Sequence, residues 1–469
     1  MDINKFVSVT PHPRQVAWQK LGFTAFIHFG VNTFTNKEWG DGSENPMIFT
    51  PTNLNTDQWC EAFISAGITA CIITAKHHDG FCLFDTAHTN HNSMNSPAKA
   101  DVVASLSESC KKYGLKLGAY LSPWDRHEPS YGSGKNYDDF FCAQLEEITT
   151  KYGPLYSLWF DGACGEGLGG KRQTYDWQRY YDIIRKNQPD AVISVCGPDV
   201  RWIGNEGGHT RPSEWSVVPA RLQDREGIAA ASQQSDSASF RERPINSTDE
   251  DLGSREFLQK ELDAGGELCW YPAEVDVSIR PGWFYHPEED DKVRSLENLL
   301  DIYEKSVGGN ALLLLNIPPD KAGQISPPDV TRLNELGDRI KNIYSINLLE
   351  NATATSSDIL KDDETYWEGS LNEAENIIKI SLPKPETLTH IVLCEQIRKS
   401  QRVEAFTITA ITESGTKDIY QGTTIGFKKI CCFTPITATE LQLKINKSRL
   451  APTLRFVGAY NDFPGNNSQ

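Results

Sequence analysis

The amino-terminal part of the chain alternates between two hydrophobic patterns. Short, nearly continuous apolar runs are separated by longer segments in which apolar residues recur every three or four positions. Continuous apolar runs are typical of strands buried on both faces, and the longer period is typical of amphipathic helices. The alternation therefore predicts an α/β fold in which parallel strands are connected by helices.

Eight such runs predict a closed, (β/α)8-like barrel. They lie at 24–30 (TAFIHFG), 68–75 (ITACIITA), 115–122 (LKLGAYLS), 155–161 (LYSLWFD), 191–196 (AVISVC), 213–218 (SEWSVV), 267–274 (ELCWYPAE) and 311–316 (ALLLLN). Helical patterns occupy 56–67, 102–114, 137–153, 175–189 and 291–309. Residues 197–212 (GPDVRWIGNEGGHTRP) contain turn-forming residues and no helical period, so we predict a missing or rudimentary helix there. A loop at this position of a barrel is a common place for ligand-binding residues.

The pattern changes after a last helical segment at 330–345. Five shorter alternating runs follow, rich in Ser and Thr: IIKISL, HIVLCEQ, EAFTITAIT, ELQLKI and LRFVGAY. Runs of this kind predict an antiparallel β-sandwich. The closing run, with RFVGAY, resembles the last strand of galactose-binding-like sandwiches. We therefore expect a barrel domain at 1–345, and the resemblance implies a carbohydrate-binding-like sandwich at 346–469.

Composition narrows the possible partners. The chain has 469 residues and a formal net charge of −17, which argues against nucleic acid or an anionic membrane surface as partner. No apolar run approaches the roughly 20 residues of a membrane span. The eleven cysteines are dispersed without a C-x-x-C pair, so they predict neither a zinc knuckle nor a disulfide scaffold. The amino-terminal residues show no signal-peptide pattern, and the compartment is left open, including export after removal of a leader.

Polar side chains stand at the ends of several apolar runs, where a parallel barrel gathers them at one mouth. The runs lead to His28, to His77 and His78, to Trp124 and Asp125, to Asp161 and to Glu274. Each one alone fits a capping or structural role. Their joint occurrence at strand ends predicts a functional site.

Asp161 is the strongest candidate for chemistry. Gly162 and Ala163 follow it, and such small residues let a substrate approach a carboxylate closely. Glycoside hydrolysis needs a second acid to protonate the leaving oxygen. The candidates for that acid are Glu166, Glu206, Glu214 and Glu274. Glu206 is favoured, because a glycine-flanked acid near tryptophan can have a raised pKa, although a simple turn residue is the alternative.

The histidines also suggest a metal site, because barrel hydrolases bind zinc through His and Asp at strand ends. However, His77 and His78 are adjacent in a segment predicted to be extended, so their side chains are expected to point apart. A sugar fits better, since imidazoles hydrogen-bond hydroxyl groups and indoles pack against C–H groups. The tryptophans considered are Trp39, Trp124, Trp270 and Trp283, with burial in the core as the alternative.

Seven motifs together resemble the α-L-fucosidases of glycoside hydrolase family 29. In chain order they are FIHFG, EWGDG, AKHHDGFCLFDT, YLSPWDRH, LWFDGA, PGWFYH and LLLLNIPPD, and they cover about residues 8–345. The resemblance implies an imperfect eight-stranded barrel followed by a β-sandwich. It also implies that Asp161 is the nucleophile, and that the fucose pocket contains His28, Glu38, Trp39, His77, His78, Trp124 and Trp283.

A further motif, RWIGNEGG, resembles the subgroup that acts on α-1,3 and α-1,4 linkages of branched, Lewis-type glycans. This resemblance implies Glu206 as the acid/base. The expected activity is that of a retaining exo-α-L-fucosidase acting on fucosylated oligosaccharides or glycoconjugates, without a metal or cofactor. Two alternatives stay open: a metal-dependent barrel hydrolase, and a non-catalytic protein that binds carbohydrate through its sandwich.

Overall fold

The computed structural model describes residues 2–232 and 251–462, and its amino-terminal part is a nearly closed parallel barrel. The strands of this part are β1 Phe23–Ile27, β2 Ala70–Lys76, β3 Lys116–Leu121, β4 Leu155–Phe160, β5 Val192–Val195, β6 Arg201–Trp202, β7 Val217–Pro219, β8 Leu268–Trp270, β9 Ala273–Ser278 and β10 Ala311–Asn316. Eight of them form one sheet in the order β5, β4, β3, β2, β1, β10, β9, β6. The two edge strands approach each other through a 3.0 Å hydrogen bond from Val195 N to Val200 O.

The predicted helical patterns correspond to helices around this barrel. The helices of the described residues are α1 Ile3–Ser8, α2 Pro13–Gln19, α3 Val31–Thr35, α4 Thr56–Ser65, α5 Val102–Tyr113, α6 Lys135–Lys151, α7 Trp177–Asn187, α8 Arg225–Ser232, α9 Arg255–Asp263, α10 Leu296–Ser306 and α11 Pro327–Tyr344. Asn55, Asp101 and Asp176 begin α4, α5 and α7 by accepting a backbone N–H in the first turn. Within the described ranges, no helix is both long enough and apolar enough to cross a bilayer.

Side chains fill the inside of the barrel below its carboxyl-terminal end. Phe26, Tyr120, Trp159 and Leu314 belong to one buried cluster that joins strands from opposite sides of the barrel. Residues on the other face of the strands, such as Ile73, pack against the surrounding helices. Because the interior is filled, a ligand can reach the strands only at an end of the barrel.

The sixth barrel strand differs from the sequence-based prediction. It is β6, which lies inside the segment 197–212, whereas the run 213–218 leads to β7, paired antiparallel with β8 outside the barrel. The apolar residues of this run, Trp215, Val217 and Val218, are buried in clusters next to the barrel. Two residues are too few to produce a recognisable strand pattern, so β6 escapes prediction. The prediction of a missing or rudimentary helix at 197–212 is confirmed, because no helix is found there.

The seventh barrel strand also differs, because the run 267–274 is divided between two strands. Its first half forms β8, and only its last two residues begin β9. Glu274 is therefore the second residue of β9 rather than the residue at its carboxyl end. This shift places Glu274 inside the barrel instead of at the mouth.

Antiparallel strands follow α11 and form the predicted sandwich. They are β11 Thr353–Ala354, β12 Trp367–Glu368, β13 Ile377–Glu395, β14 Val403–Thr412, β15 Gly415–Gly422, β16 Lys429–Ser448 and β17 Thr453–Tyr460. Register shifts interrupt the pairing of the long strands β13 and β16, and such irregularities bend strands. The strands enclose a hydrophobic core of their own. The predicted boundary near residue 346 lies between the end of α11 and the start of β11.

Candidate active site

Seven of the candidate side chains lie just beyond the carboxyl ends of barrel strands. His28 follows β1, His77 and His78 follow β2, Trp124 follows β3, Asp161 follows β4, Glu206 follows β6 and Trp283 follows β9. In a parallel barrel these strand ends share one mouth. The predicted grouping at strand ends is therefore present for these residues.

Asp161 is the carboxylate at the end of β4. Its Oδ1 accepts the backbone N–H of Ala163 at 2.8 Å, and its Oδ2 accepts the hydroxyl of Tyr120 at 2.9 Å. Burial raises the pKa of Asp161, and these hydrogen bonds limit the rise. The side chain is still 23% exposed. The small residues after the strand thus supply a backbone donor and leave the carboxylate accessible.

His78 lies beside this carboxylate as a neutral imidazole. Burial, together with the proximity of His28 and Arg126, lowers the pKa of His78 to about 3. Ser122 donates its hydroxyl to a backbone carbonyl at 2.6 Å, so its oxygen accepts a hydrogen bond from His78 Nδ1 at 2.7 Å. The Nε2 atom, 3.7 Å from Asp161 Oδ2, then carries the lone pair. It can accept a hydrogen bond from a hydroxyl group of a ligand.

The expectation that the side chains of His77 and His78 point apart is wrong. Their ring centroids are 4.2 Å apart. The strand ends at Lys76 and a turn begins, with Gly80 N bonded to His77 O at 3.0 Å, so the alternation of an extended strand no longer applies. His77 stacks on Tyr120 at 5.8 Å, and burial lowers its pKa well below the usual value.

His28 is oriented by Asn316, the last residue of β10. The amide nitrogen of Asn316 donates to Ser278 Oγ at 2.9 Å and to the carbonyl of Trp283 at 2.8 Å. Its Oδ1 is therefore the acceptor, and His28 Nδ1 donates to it at 2.8 Å. The His28 ring lies 5.1 Å from the Trp283 indole. These contacts connect the carboxyl ends of β1, β9 and β10.

Glu38 holds the loop that carries Trp283. Its Oε2 accepts the N–H of Trp283 at 2.8 Å, and its Oε1 accepts the N–H of Phe284 at 3.3 Å. The same Oε1 lies 2.6 Å from His286 Nε2, and this hydrogen bond raises the pKa of His286 against the effect of burial. Glu38 is thus positioned next to Trp283, and its contact with a sugar stays a prediction.

Three of the four candidate tryptophans belong to the mouth. Trp39 packs edge to face against His78 at 5.7 Å and against Trp124 at 5.6 Å. Trp124 donates its indole N–H to the carbonyl of Glu166 at 3.1 Å. Trp270 differs, because it lies on β8 in a buried cluster outside the barrel. The sequence cannot make this distinction, since a buried tryptophan looks the same in either place.

Two of the four candidate partners of Asp161 have other surroundings. Glu214 is buried and forms ion pairs with Arg201 and Arg211, so its charge is already compensated. Glu166 is exposed on the loop after β4, and its backbone rather than its side chain contacts Trp124. Neither arrangement resembles that of an acid held in an apolar pocket.

Glu274, the third candidate, lies within the barrel. Its Oε1 accepts the indole N–H of Trp159, a residue of β4 across the barrel, at 2.7 Å. Burial raises the pKa of Glu274 to about 7, and this hydrogen bond opposes the rise. Glu274 therefore supports the packing of Trp159 below the mouth.

Glu206 is the candidate that contacts another residue of the mouth. Its Oε2 accepts the indole N–H of Trp283 at 3.2 Å, and the side chain is half-buried. Asn205 shapes this loop, because its Oδ1 accepts the N–H groups of Gly207 and His209 at 3.0 and 3.1 Å. The loop therefore has an internal scaffold that orients Glu206.

Asp276 is an additional acid beside Glu206. Its Oδ1 accepts the indole N–H of Trp202 at 2.7 Å. Burial and then the nearby charge of Glu206 raise the pKa of Asp276 well above the usual value. Two carboxyl groups this close titrate as a coupled pair, so the protonation of Glu206 and that of Asp276 depend on each other.

Four residues of the site were not among the candidates. Ser122 and Asn316 end the apolar runs YLS and LLLLN, so the rule that selects polar strand ends would also select them. Tyr120 lies within an apolar run, and its hydroxyl has no sequence signal that separates it from a core tyrosine. Asp276 is equally unmarked, because β9 is displaced from its predicted position.

Known proteins with similar sequences and folds are alpha-L-fucosidases. The family model for alpha-L-fucosidases matches residues 43–343. Alpha-L-fucosidase 1 of Arabidopsis thaliana is 37% identical over 473 residues, covering 96% of this chain and 87% of the plant protein. A crystal structure from Bacteroides ovatus superposes with a TM-score of 0.87 at 42% identity, covering 100% of this chain and 77% of the other. A Ruminococcus gnavus family 29 fucosidase in complex with fucose has a TM-score of 0.82 at 29% identity, covering 97% and 95%.

The fold and these similarities define the protein as a glycoside hydrolase. The chain belongs to the alpha-L-fucosidases, glycoside hydrolase family 29. Its substrates are fucosylated compounds, and its reaction is the hydrolytic release of fucose.

Proposed function

We propose that this enzyme is a retaining exo-α-L-fucosidase that removes α-1,3- or α-1,4-linked fucose from branched, Lewis-type glycans. The observation that carries the retaining mechanism is the setting of Asp161. Tyr120 and the backbone of Ala163 each hold one carboxylate oxygen, while the side chain stays partly accessible. Such a carboxylate has a fixed direction for attack on a bound sugar. The linkage preference rests on the RWIGNEGG segment around Glu206.

The proposed reaction has two displacements at the anomeric carbon. First, a carboxylate oxygen of Asp161 bonds to the anomeric carbon while the bond between this carbon and the glycosidic oxygen breaks. Glu206 donates its proton to the glycosidic oxygen. Next, Glu206 removes a proton from water, whose oxygen bonds to the anomeric carbon and releases Asp161. Two inversions retain the α configuration, and they require about 5–5.5 Å between the two carboxyl groups in the reacting complex.

The fucose pocket is assigned in this proposal to a ring of neutral and aromatic side chains with one acid. Its members are His28, Glu38, Trp39, His77, His78, Trp124 and Trp283. Neutral imidazoles both donate and accept hydrogen bonds, which suits sugar hydroxyls. Trp283 donates its indole N–H to Glu206 and its backbone N–H to Glu38, so it connects the proposed acid to the pocket. No step of this mechanism uses a metal ion or cofactor.

A proton NMR time course with a Lewis-type trisaccharide tests the proposal. Retention predicts that α-fucose appears first and then mutarotates. Early β-fucose would contradict the retaining mechanism. Release of fucose from an α-1,2-linked or aryl fucoside, but not from the trisaccharide, would contradict only the linkage preference.

Glu206→Ala tests the acid/base assignment separately. With an activated aryl fucoside, the variant should accumulate the fucosyl-enzyme, and azide should restore turnover by forming α-fucosyl azide. Glu166→Ala is the matched control, because this exposed acid lies at the same mouth and should be dispensable. Unchanged activity of Glu206→Ala would exclude its assigned role.

A further inference from the structure

A second cluster of chemically reactive side chains lies between the barrel and the sandwich. Glu304 belongs to α10 of the barrel, His390 to β13 and Cys432 to β16. One carboxylate oxygen, one imidazole nitrogen and the thiol sulfur lie within 4.8 Å of one another. Across residues 2–232 and 251–462, this is the one group of three metal-ligating side chains that converges so closely, and it lies outside the barrel mouth.

The pairing of two strands sets the geometry of this cluster. His390 and Cys432 are direct partners in the antiparallel register, so their side chains share one face of the sheet. Glu304 reaches this face, with Oε1 3.1 Å from His390 Nε2 and Oε2 3.5 Å from Cys432 Sγ. Ligand atoms about 2.0–2.3 Å from a tetrahedral zinc ion are about 3.3–3.8 Å apart. The separations from Glu304, 3.1 and 3.5 Å, are close to this range, and the full set, which lies within 4.8 Å, must contract to enclose an ion.

The two less exposed members of the cluster are held by further hydrogen bonds. Thr389 Oγ1 lies 2.7 Å from His390 Nδ1, and the hydroxyl of Tyr344 donates to Glu304 Oε1 at 2.9 Å. Metal-binding histidines commonly use their second ring nitrogen in this way, which directs the first toward the ion. His390 and Glu304 are 7% and 16% exposed, whereas Cys432 is exposed and provides a path for entry.

We propose that Glu304, His390 and Cys432 form a binding site for a divalent transition-metal ion, best matched by Zn²⁺, that joins the barrel to the sandwich. Thiolate, imidazole and carboxylate are all zinc ligands, and a fourth position is left for solvent. Binding releases the proton on Cys432 Sγ and the proton between His390 Nε2 and Glu304. The site is independent of the proposed fucosidase mechanism, because none of its residues takes part in that mechanism.

Metal titration of the full-length enzyme after dialysis against a chelator tests this proposal. Co²⁺ should bind in a one-to-one ratio and produce a thiolate-to-cobalt charge-transfer band, and Zn²⁺ should displace it. Cys432→Ser should abolish the band. His390→Gln should weaken Zn²⁺ binding by more than the about 10- to 100-fold that loss of an outer hydrogen-bond partner costs.

Two control variants separate the cluster from other cysteines and histidines. Cys269→Ser removes a partly buried cysteine outside the cluster, and His88→Gln removes a histidine outside it that lies 3.9 Å from Glu147. Both controls should bind Co²⁺ like the unmodified enzyme. Zn²⁺ should raise the Tm of the controls but not of Cys432→Ser, while fucose release is the same in all of them. A missing charge-transfer band, or unchanged Zn²⁺ affinity in Cys432→Ser, would overturn the proposal.

Discussion

Tyr120→Phe should shift the pH dependence of fucose release. The substitution removes the hydroxyl that donates to Asp161 at 2.9 Å and keeps the ring that stacks on Trp159 at 5.2 Å. A hydrogen bond to a charged group contributes about 1.5–3 kcal/mol. Since one pKa unit corresponds to about 1.36 kcal/mol, its loss should raise the pKa of Asp161 by about one unit or more. The direction is upward because the hydroxyl stabilises the ionised carboxylate.

The assay is the pH profile of kcat/KM for an aryl fucoside. In the proposed mechanism a protonated Asp161 cannot attack, so the acid limb of the profile should move to higher pH by about one unit. Tyr156→Phe is the control, because Tyr156 lies on β4, five positions before Asp161 and below the mouth. An activity loss of equal size at every pH, with the acid limb in its original place, would refute the reasoning.

Other predictions concern the site, its loops and the sandwich. Asp161→Asn should lower turnover by on the order of 10⁴- to 10⁶-fold. Its Tm at neutral pH should be equal or higher, because burial raises the pKa of Asp161 and the ionised form therefore disfavours the folded state above that pKa. Appreciable turnover would contradict its role as nucleophile. Glu38→Gln should lower kcat/KM about 10- to 100-fold by loosening the loop after β9, and NMR titration should show a lower pKa for His286. An enzyme truncated after residue 345 should have a lower Tm and lower selectivity among fucosylated substrates, because the buried Asn310 loses the backbone N–H of Phe427. Full stability and selectivity would contradict this prediction. Dialysis against EDTA should leave kcat unchanged, and a loss that zinc restores would favour a metal-dependent hydrolase.

Much of the barrel can be predicted because burial on both faces demands continuous apolar residues. The run ALLLLN coincides with β10 residue for residue. Hydrophobicity reports burial but not which sheet a strand joins. Trp215, Val217 and Val218 are apolar because they pack beside the barrel, whereas β6 completes the sheet with only two residues, one of them Arg201. The sequence pattern cannot separate these two situations.

The site can be predicted as far as position along the strands defines it. Asp161 and His28 follow their strands directly, so their place at the mouth follows from the end of each apolar run. The relation between His77 and His78 depends on a turn, and the location of Glu274 depends on how one run divides into two strands. Both depend on backbone geometry that alternation of polar and apolar residues does not encode.

The burial that shapes this mouth also disfavours other charges beside Asp161, the proposed nucleophile. Burial lowers the pKa of His78 to about 3 and raises that of Glu274 to about 7. A protonated His78, 3.7 Å from Asp161, would offset the negative charge of the carboxylate. In the proposed mechanism the sugar becomes positively charged in the transition state, and a carboxylate in a poorly solvated site stabilises that charge more strongly than it would in water. In this proposal, keeping the neighbouring imidazoles neutral leaves Asp161 free to act both as nucleophile and as the counter-charge of the transition state.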